Sequence, residues 1–239
     1  MSDRLGFEVH VRQVSRGDHR GVYEVPDGDG PFPGLLVLHE ALGLNADTRR
    51  ITAELAAKGY AALAPDLFSG PDPKPRCIAR TVRDGLVKPA NTGTTDTIED
   101  WRVWLAEQPE VDGERIGVIG FCMGGGFAVV AAARSPFAAA SVNYGRVPTD
   151  TTLLEGSCPV VASYGADDLL VPKGTAQRLE AALTDQGVPV DVEVYPGVGH
   201  SFLNHEPKAA RLLRVGFDGP TAEQAWDRID RFFDEHLRR

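Results

Sequence analysis

The sequence has few of the features that mark secreted or membrane proteins. Its 239 residues include three cysteines, Cys77, Cys122 and Cys158, and none of them stands in a CxxC pair. Three cysteines cannot all pair with one another, so we expect free thiols in a reducing compartment. No apolar run approaches the roughly eighteen residues of a membrane-spanning helix, and the first ten residues lack a signal-peptide core. The sequence therefore predicts a cytoplasmic protein without a membrane partner.

Positive charge and cofactor motifs are also scarce. Lysine and arginine number 25 against 34 aspartates and glutamates, which gives a net charge of −9 and an isoelectric point near 5.2. This balance argues against a nucleic-acid or anionic-membrane partner. There is no GxGxxG, no P-loop and no cluster of His and Cys, so we expect neither a metal nor an organic cofactor. The length fits one domain over residues 1–239, as a monomer or small homo-oligomer.

Apolar, strand-like runs alternate with helical patterns along most of the chain. This alternation predicts an α/β fold with a mostly parallel sheet and helices on both faces. Residues 69–95, rich in proline, glycine and charge, are the exception; we interpret them as a long connection and candidate lid, with a short helix near 78–86. Strands are predicted at 7–11, 21–25, 33–39, 60–65, 116–119, 138–144, 158–164 and 190–195, and helices at 46–58, 96–107, 123–134, 172–186 and 221–237.

One cysteine lies at a position typical of a nucleophile. The segment Gly120-Phe121-Cys122-Met123-Gly124 follows a short apolar strand and precedes a helix of small residues. This is the G-x-nucleophile-x-G spacing of a nucleophile elbow, with cysteine in place of serine. The glycines leave room for the packed strand and helix, and the helix N-terminus favours a thiolate. On these five residues alone, a small core cysteine is the competing interpretation.

Polar residues that follow predicted strands form a coherent set. Because functional groups gather at the carboxyl ends of parallel strands, we compared the residues at those ends. Cys122, then Asp167 or Asp168, then His200 occur in the chain order of α/β-hydrolase triads. A histidine activates a thiol and later protonates the leaving group, and a carboxylate fixes the histidine tautomer. Glu40 and Asp66 also follow predicted strands.

Several motifs resemble those of the dienelactone hydrolase family. They are LHEALG at 38–43, PDLF at 65–68, GFCMGG at 120–125, GADDLLVP at 165–172 and GHSF at 199–202, in the family's order. The resemblance runs from about residue 33 to the last helix and implies an α/β-hydrolase fold. It implies Cys122 as nucleophile, His200 as base, Asp168 as the residue that orients His200, and Glu40 as a partner of the resting thiol.

The oxyanion formed during ester cleavage needs two backbone donors. We expect them to be the N–H groups of Met123, directly after the nucleophile, and Ala41, in the loop after the first buried strand. The sequence departs from the family at Asn204, where the resemblance calls for an arginine that holds the substrate carboxylate. Arg80 or Arg83 is the candidate for a second family arginine. The resemblance thus carries over the chemistry but not the substrate.

These expectations combine into one function and several alternatives. We expect a cysteine-dependent hydrolase of small-molecule carboxyl esters or lactones, acting through an acyl-thioester. The alternatives are a general esterase or thioesterase for apolar acyl groups and a non-catalytic protein of the same fold that binds a small molecule. A thiol redox sensor is a further alternative, and it requires a second cysteine near Cys122.

Overall fold

A computed structural model describes residues 9–87, 92–205 and 216–238. Within these ranges, eight strands form one sheet, with six α-helices and a short 3₁₀ helix at Thr151–Leu154. The strands are β1 (Val9–Arg16), β2 (His19–Pro26), β3 (Phe32–Leu38), β4 (Ala61–Asp66), β5 (Val111–Phe121), β6 (Ala139–Asn143), β7 (Val160–Gly165) and β8 (Val190–Tyr195). The helices are α1 (Ala46–Ala57), α2 (Lys74–Val87), α3 (Gly93–Ala106), α4 (Met123–Arg134), α5 (Thr175–Asp185) and α6 (Gly219–Leu237).

The sheet is mostly parallel, as the alternating pattern predicted. The strand order is β1-β2-β4-β3-β5-β6-β7-β8. β2 runs antiparallel to both β1 and β4, and all other neighbours are parallel. The predicted class, an α/β-hydrolase fold with a mostly parallel sheet and helices on both faces, is confirmed. Among the described residues no helix combines the length and apolarity needed to cross a membrane.

The chain changes direction within the sheet at β3. From β3 it moves outward through α1 to β4, and it then returns past β3 to β5. Because parallel crossovers are right-handed, this reversal puts α1 and α3 on opposite faces. On the face of α1, Lys58 and Asp230 join it to α6 by an ion pair of 2.7 Å. The helices that follow β3 and β5 lie on opposite faces at this reversal, and sites form at such a point in α/β sheets.

Strand register brings the candidate residues to one edge of the sheet. Leu38 of β3 lies opposite Gly120 of β5, and Phe121 lies opposite Asn143 of β6. The segments that follow these strands therefore leave the sheet side by side. β3 is buried from Pro33 onward, and α4 is buried over its first ten residues. Small side chains in α4 allow this helix to pack close to the sheet and fix the elbow in the core.

The segment 69–95 contains more regular structure than its composition suggested. α2 spans Lys74–Val87, longer than the short helix expected near 78–86, and α3 begins at Gly93, before the predicted start at 96. Thr81 donates from Oγ1 to the Leu67 carbonyl at 2.9 Å, which ties α2 to the end of β4. Residues 88–91 lie outside the described ranges, as do residues 7 and 8 of the first predicted strand. The lid function of this segment stays a prediction.

Candidate active site

Cys122 lies at the apex of a sharp turn between β5 and α4. Its backbone has φ 53° and ψ −113°, a conformation that non-glycine residues rarely adopt. A Cβ added at Gly120 would lie 2.1 Å from the Gly124 carbonyl oxygen, and one added at Gly124 would lie 2.2 Å from the Leu38 carbonyl oxygen. The two glycines therefore permit the close packing of β5, α4 and β3 that forces this turn.

Backbone hydrogen bonds hold the cysteine at the start of the helix. Its N–H donates to the Asn143 carbonyl at 3.0 Å, and its own carbonyl accepts from the Gly126 N–H at 3.1 Å. The thiol consequently stands at the N-terminus of α4, on the positive side of the helix dipole. Among the described residues, neither the Met123 N–H nor the Ala41 N–H has a hydrogen-bond acceptor. Both residues border the cavity into which Cys122 opens.

Asp168 follows β7 and holds the histidine with one oxygen. Its Oδ1 accepts from the backbone N–H groups of Leu170 at 2.7 Å and Val171 at 3.1 Å. Its Oδ2 lies 2.7 Å from Nδ1 of His200. Because a carboxylate only accepts, Nδ1 must carry the proton. Of the two aspartates left open by the residue pattern, the structure brings Asp168 and not Asp167 to His200.

His200 follows β8 and is 4% exposed. Burial by itself lowers its pKa, but the hydrogen bond to Asp168 and the adjacent Cys122 side chain outweigh burial and raise the pKa to about 9. The second ring nitrogen, Nε2, is buried without a hydrogen bond of standard geometry to any described residue. The imidazole is thus fixed on one side by a carboxylate and directed on the other toward the thiol.

Glu40 lies in the loop after β3, as the sequence predicted, and is buried. Its Oε2 accepts from the Ser201 hydroxyl at 3.3 Å. The preceding residue, His39, has a structural role: its Nδ1 donates to the Glu40 carbonyl at 2.7 Å, and its Nε2 accepts from the Leu67 N–H at 3.0 Å. Complete burial lowers the pKa of His39, so this ring is neutral. His39 therefore fastens the loop that carries Glu40 and Ala41 to the end of β4.

A buried polar chain that begins at Tyr144 supports the His200 ring. The Tyr144 ring packs edge-on against the His200 ring, with centroids 5.1 Å apart. The Tyr144 hydroxyl donates to Oδ1 of Asn204, whose Nδ2 donates to Asp47 at 2.8 Å. Arg50 Nε donates to the other oxygen of Asp47 at 2.8 Å. Since the Asp47 carboxylate demands the amide N–H₂, the amide orientation and the direction of the tyrosine hydroxyl are both fixed.

Cys122 and His200 border one cavity of about 270 Å³. Its wall is mainly apolar, and two leucines at the rim, Leu169 and Leu170, are 74% and 51% exposed. The charged side chain in the wall besides His200 is Arg146. The lining residues are Ala41, Val82, Gly85, Cys122, Met123, Gly126, Tyr144, Arg146, Leu169, Leu170, Val171 and His200.

The predicted substrate-binding residues lie elsewhere. Asn204 is 2% exposed and engaged at both ends of its amide. Arg80 pairs with Asp72 at 2.8 Å, and Arg83 pairs with Asp84 at 2.8 Å; none of the three lines the cavity. Asp66 accepts from the Phe68 N–H at 3.0 Å in the turn after β4.

Sequence reasoning missed Tyr144 and Arg146. Tyr144 directly follows β6 and Arg146 lies two residues further on, so the rule that functional groups follow parallel strands points to both. In the structure Tyr144 has φ 41°, and Arg146 is exposed and borders the cavity.

The other two cysteines, Cys77 and Cys158, do not line the cavity that Cys122 borders. All three are free, and burial raises the pKa of Cys158 to about 12, which makes it unreactive. Cys77 is buried in α2, where its Sγ contacts the Asp72 carbonyl at 3.3 Å. Across the described ranges, no group of three or more His, Cys, Asp or Glu side chains is arranged to hold a metal ion.

Comparisons with known proteins agree with the geometry. Residues 20–237 match the dienelactone hydrolase family. The chain is 31% identical to a "Putative carboxymethylenebutenolidase" of Azospirillum brasilense over 96% of this chain and 99% of that one. It is 28% identical to an Escherichia coli protein of the same description over 93% and 84%. The fold matches a dienelactone hydrolase-like promiscuous phosphotriesterase from metagenomic libraries, with a TM-score of 0.80 and 24% identity over 96% and 99%.

Proposed function

Since the chain belongs to the dienelactone hydrolase family and is a hydrolase of that kind, we propose that it cleaves small-molecule carboxyl esters or lactones through Cys122, His200 and Asp168. The observation that carries the proposal is the ion pair of 2.7 Å between Asp168 and His200. His200 lines the same cavity as Cys122. A pKa of about 9 keeps His200 protonated at neutral pH. We therefore assign Cys122 as the nucleophile and protonated His200 as the proton donor to the leaving group.

The first half-reaction forms the acyl-enzyme. The Cys122 sulfur attacks the ester carbonyl, and the carbonyl oxygen becomes an oxyanion held by the N–H groups of Ala41 and Met123. One such donor contributes about 3 kcal/mol of transition-state stabilisation. As the tetrahedral intermediate collapses, the C–O bond breaks and His200 gives its Nε2 proton to the leaving oxygen. Asp168 keeps the proton on Nδ1 throughout, so the ring can act only through Nε2.

The second half-reaction releases the acid. Neutral His200 takes a proton from water, and the oxygen of that water attacks the thioester carbonyl. The same two N–H groups hold the second oxyanion, and the C–S bond breaks to restore the thiolate beside the imidazolium. We assign Glu40 to the resting state, in which its buried carboxylate beside the elbow accepts a proton or hydrogen bond from the thiol. Ser201 holds that carboxylate in place.

The apolar wall of the cavity favours substrates with an apolar acyl group. Val82, Met123, Leu169 and Val171 offer an apolar surface next to the nucleophile. An apolar acyl group gains about 25 cal/mol for each Å² that it buries there. This surface supports a general esterase for apolar acyl groups as the second candidate.

The proposal is tested by hydrolysis of a neutral aryl acetate and by mass spectrometry of the acylated protein. The wild type should turn over the ester and, on rapid acid quench, carry one acyl group on Cys122. Cys122→Ala should lose both properties. Cys158→Ala is the matched control, because its thiol is free but unreactive, and it should keep both. Turnover by Cys122→Ala at the wild-type rate, or none by the wild type with any ester tested, would refute the assignment.

A further inference from the structure

Two neighbouring leucines at the rim of the cavity, Leu169 and Leu170, are exposed to water although they line the site. We propose that these two side chains bind the apolar acyl chain of a medium-chain carboxylic ester, and that this contact restrains Asp168 and, through it, His200. The inference rests on the proposed hydrolase function, to which it adds an acyl-chain length and two specificity-determining residues.

Exposed apolar side chains are concentrated beside the cavity. Across the described ranges, the large hydrophobic residues with the most exposed side chains are Val11, Leu42, Leu169, Leu170 and Phe217. Leu169 and Leu170 line the cavity, and Leu42 directly follows Ala41, which also lines it. A single exposed leucine needs no explanation, whereas adjacent ones that continue an apolar cavity are typical of a ligand-binding groove.

The rim leucines prolong the apolar wall next to the nucleophile. Val82, Met123 and Val171 form part of that wall, and the cavity has a volume of about 270 Å³. An acyl chain on Cys122 covers the wall first, and a chain too long for the cavity continues onto Leu169 and Leu170. Each methylene group that leaves water for such a surface favours binding by about three- to fourfold.

The rim leucines belong to the loop that holds the carboxylate of Asp168. The Leu170 N–H donates to Oδ1 of Asp168 at 2.7 Å, and the Val171 N–H donates to the same oxygen at 3.1 Å. The other carboxylate oxygen, Oδ2, lies 2.7 Å from Nδ1 of His200. Leu170 thus has an exposed side chain and an amide group that fixes Asp168. A ligand packed on this side chain therefore restrains the Asp168–His200 geometry.

The outer part of this loop leaves room for such a restraint. Leu169 and Leu170 lie outside regular secondary structure, between β7 and α5. The Leu170 carbonyl accepts from Nη2 of Arg146 at 3.3 Å, which is long for an N–H···O hydrogen bond, and Arg146 is itself exposed. An apolar contact with substrate would therefore add to a weak restraint at this point of the loop.

The order of the two half-reactions favours the acyl side of the ester over the alcohol side. The alcohol leaves in the first half-reaction, whereas the acyl group stays on Cys122 until water releases it. In the proposed mechanism His200 acts in both half-reactions and is oriented by Asp168 in both. A contact made by the acyl chain therefore restrains this pair throughout the cycle. Binding energy from the unreactive chain is then expressed in kcat as well as in affinity.

The test is a series of 4-nitrophenyl esters from acetate to octanoate, assayed below their solubility limits with the wild type and with Leu169→Asn/Leu170→Asn. Asparagine has the branched shape of leucine but polar atoms, and it keeps both backbone N–H groups. In the wild type, both kcat and kcat/KM should rise with chain length. In the double variant, the ratio of kcat/KM for octanoate over acetate should fall by about 10- to 50-fold, the value of two to three methylene contacts, and kcat for octanoate should fall too.

The matched control is Val11→Thr, which replaces an exposed aliphatic side chain on β1 that does not line the cavity, and the ratio should stay unchanged. Equal losses on acetate and octanoate in the double variant would overturn the inference, because they indicate a structural role. A fall confined to KM would overturn the link to Asp168, and a loss seen only with alkyl acetates of increasing alcohol length would overturn the acyl assignment. Acetate turnover that depends on Cys122 would still support the proposed function in each case.

Discussion

Replacement of Asp168 by asparagine should abolish most activity while leaving the fold intact. The loop after β7 predicts how the new amide will be oriented. Two backbone donors, the N–H groups of Leu170 and Val171, converge on one oxygen of residue 168. The amide oxygen must stay there, because an N–H₂ group in that place would leave both donors without an acceptor. The amide nitrogen then faces Nδ1 of His200, which is forced to accept, and the ring proton moves to Nε2, where it blocks removal of the thiol proton.

The magnitude follows from two separate losses. In the wild type, the pKa of His200 stands at about 9 instead of 6.5, which corresponds to about 3 kcal/mol in favour of the imidazolium. Loss of the charged hydrogen bond removes part of this stabilisation, or about 10- to 100-fold in rate. The wrong tautomer costs more: the equivalent change in serine-protease triads, which combines both losses, lowers kcat by about 10⁴-fold. We therefore expect kcat/KM to fall by about 10³- to 10⁴-fold.

The assay is steady-state hydrolysis of a neutral aryl acetate at pH 7, with circular dichroism as a check on folding. Asp167→Asn is the control, because Asp167 is the neighbouring aspartate and the hydrogen bond to Nδ1 of His200 comes from Asp168. This control should keep most of the wild-type activity. A loss of less than tenfold in Asp168→Asn, or an equal loss in Asp167→Asn, would refute the reasoning from tautomer and geometry.

The same pair makes a signed prediction for stability against pH. The folded pKa of His200 lies above its unfolded value, so its contribution is fully present below pH 6.5 and disappears as pH rises through about 9. This contribution amounts to about 3 kcal/mol. Urea unfolding at a series of pH values should show wild-type stability falling across that window, with a smaller fall in Asp168→Asn. Parallel curves for the two proteins would contradict the pKa assignment.

Two further substitutions separate structural from substrate-binding roles. Asn204→Leu leaves Tyr144 and Asp47 without their buried partner. The free energy of unfolding, measured in urea, should therefore fall by about 1–3 kcal/mol for each of these two groups, and kcat should fall with it. A rise in KM alone, without destabilisation, would instead favour contact with substrate. Gly126→Ala adds a methyl group that meets no atom closer than 3.4 Å; it should stabilise α4 by about 0.5–1 kcal/mol and reduce kcat/KM for octanoyl esters more than for acetyl esters. Equal effects on both acyl lengths would show that the methyl group does not narrow the acyl space.

The fold was predictable because its strands follow simple burial rules. β3 and the second half of β5 are buried on both faces, and such strands appear in sequence as continuous apolar runs. The predicted strand at 116–119 was too short, because residues 112–115 of β5 are partly or fully exposed, include three charged side chains and carry no apolar run. α2 was underestimated for a related reason: Pro75 and Gly85 weaken the helical pattern, while tertiary contacts such as that of Thr81 to Leu67 supply the missing stability.

The positions of the three candidate triad residues were predictable from the sequence, but the residues that pack around His200 were not. Each of Cys122, Asp168 and His200 follows its own strand and stands in a motif of its own, and strand order brings them together. The family resemblance predicted on those motifs is confirmed over residues 20–237. The roles of the individual residues stay predictions that the substitutions above test. The contact of Tyr144 with His200 arises between segments 56 residues apart, with no periodic pattern to announce it.

Asn204 illustrates how tertiary structure can separate a motif position from its expected function. Residue 204 lies next to Asp47, a buried carboxylate that already accepts from Arg50 and from the His205 N–H at 3.1 Å. An arginine placed there would form an ion pair with Asp47, and its guanidinium would be engaged before any substrate arrived. It would also deprive the Tyr144 hydroxyl of its acceptor, because arginine has none. In this protein a neutral amide thus completes the support of His200.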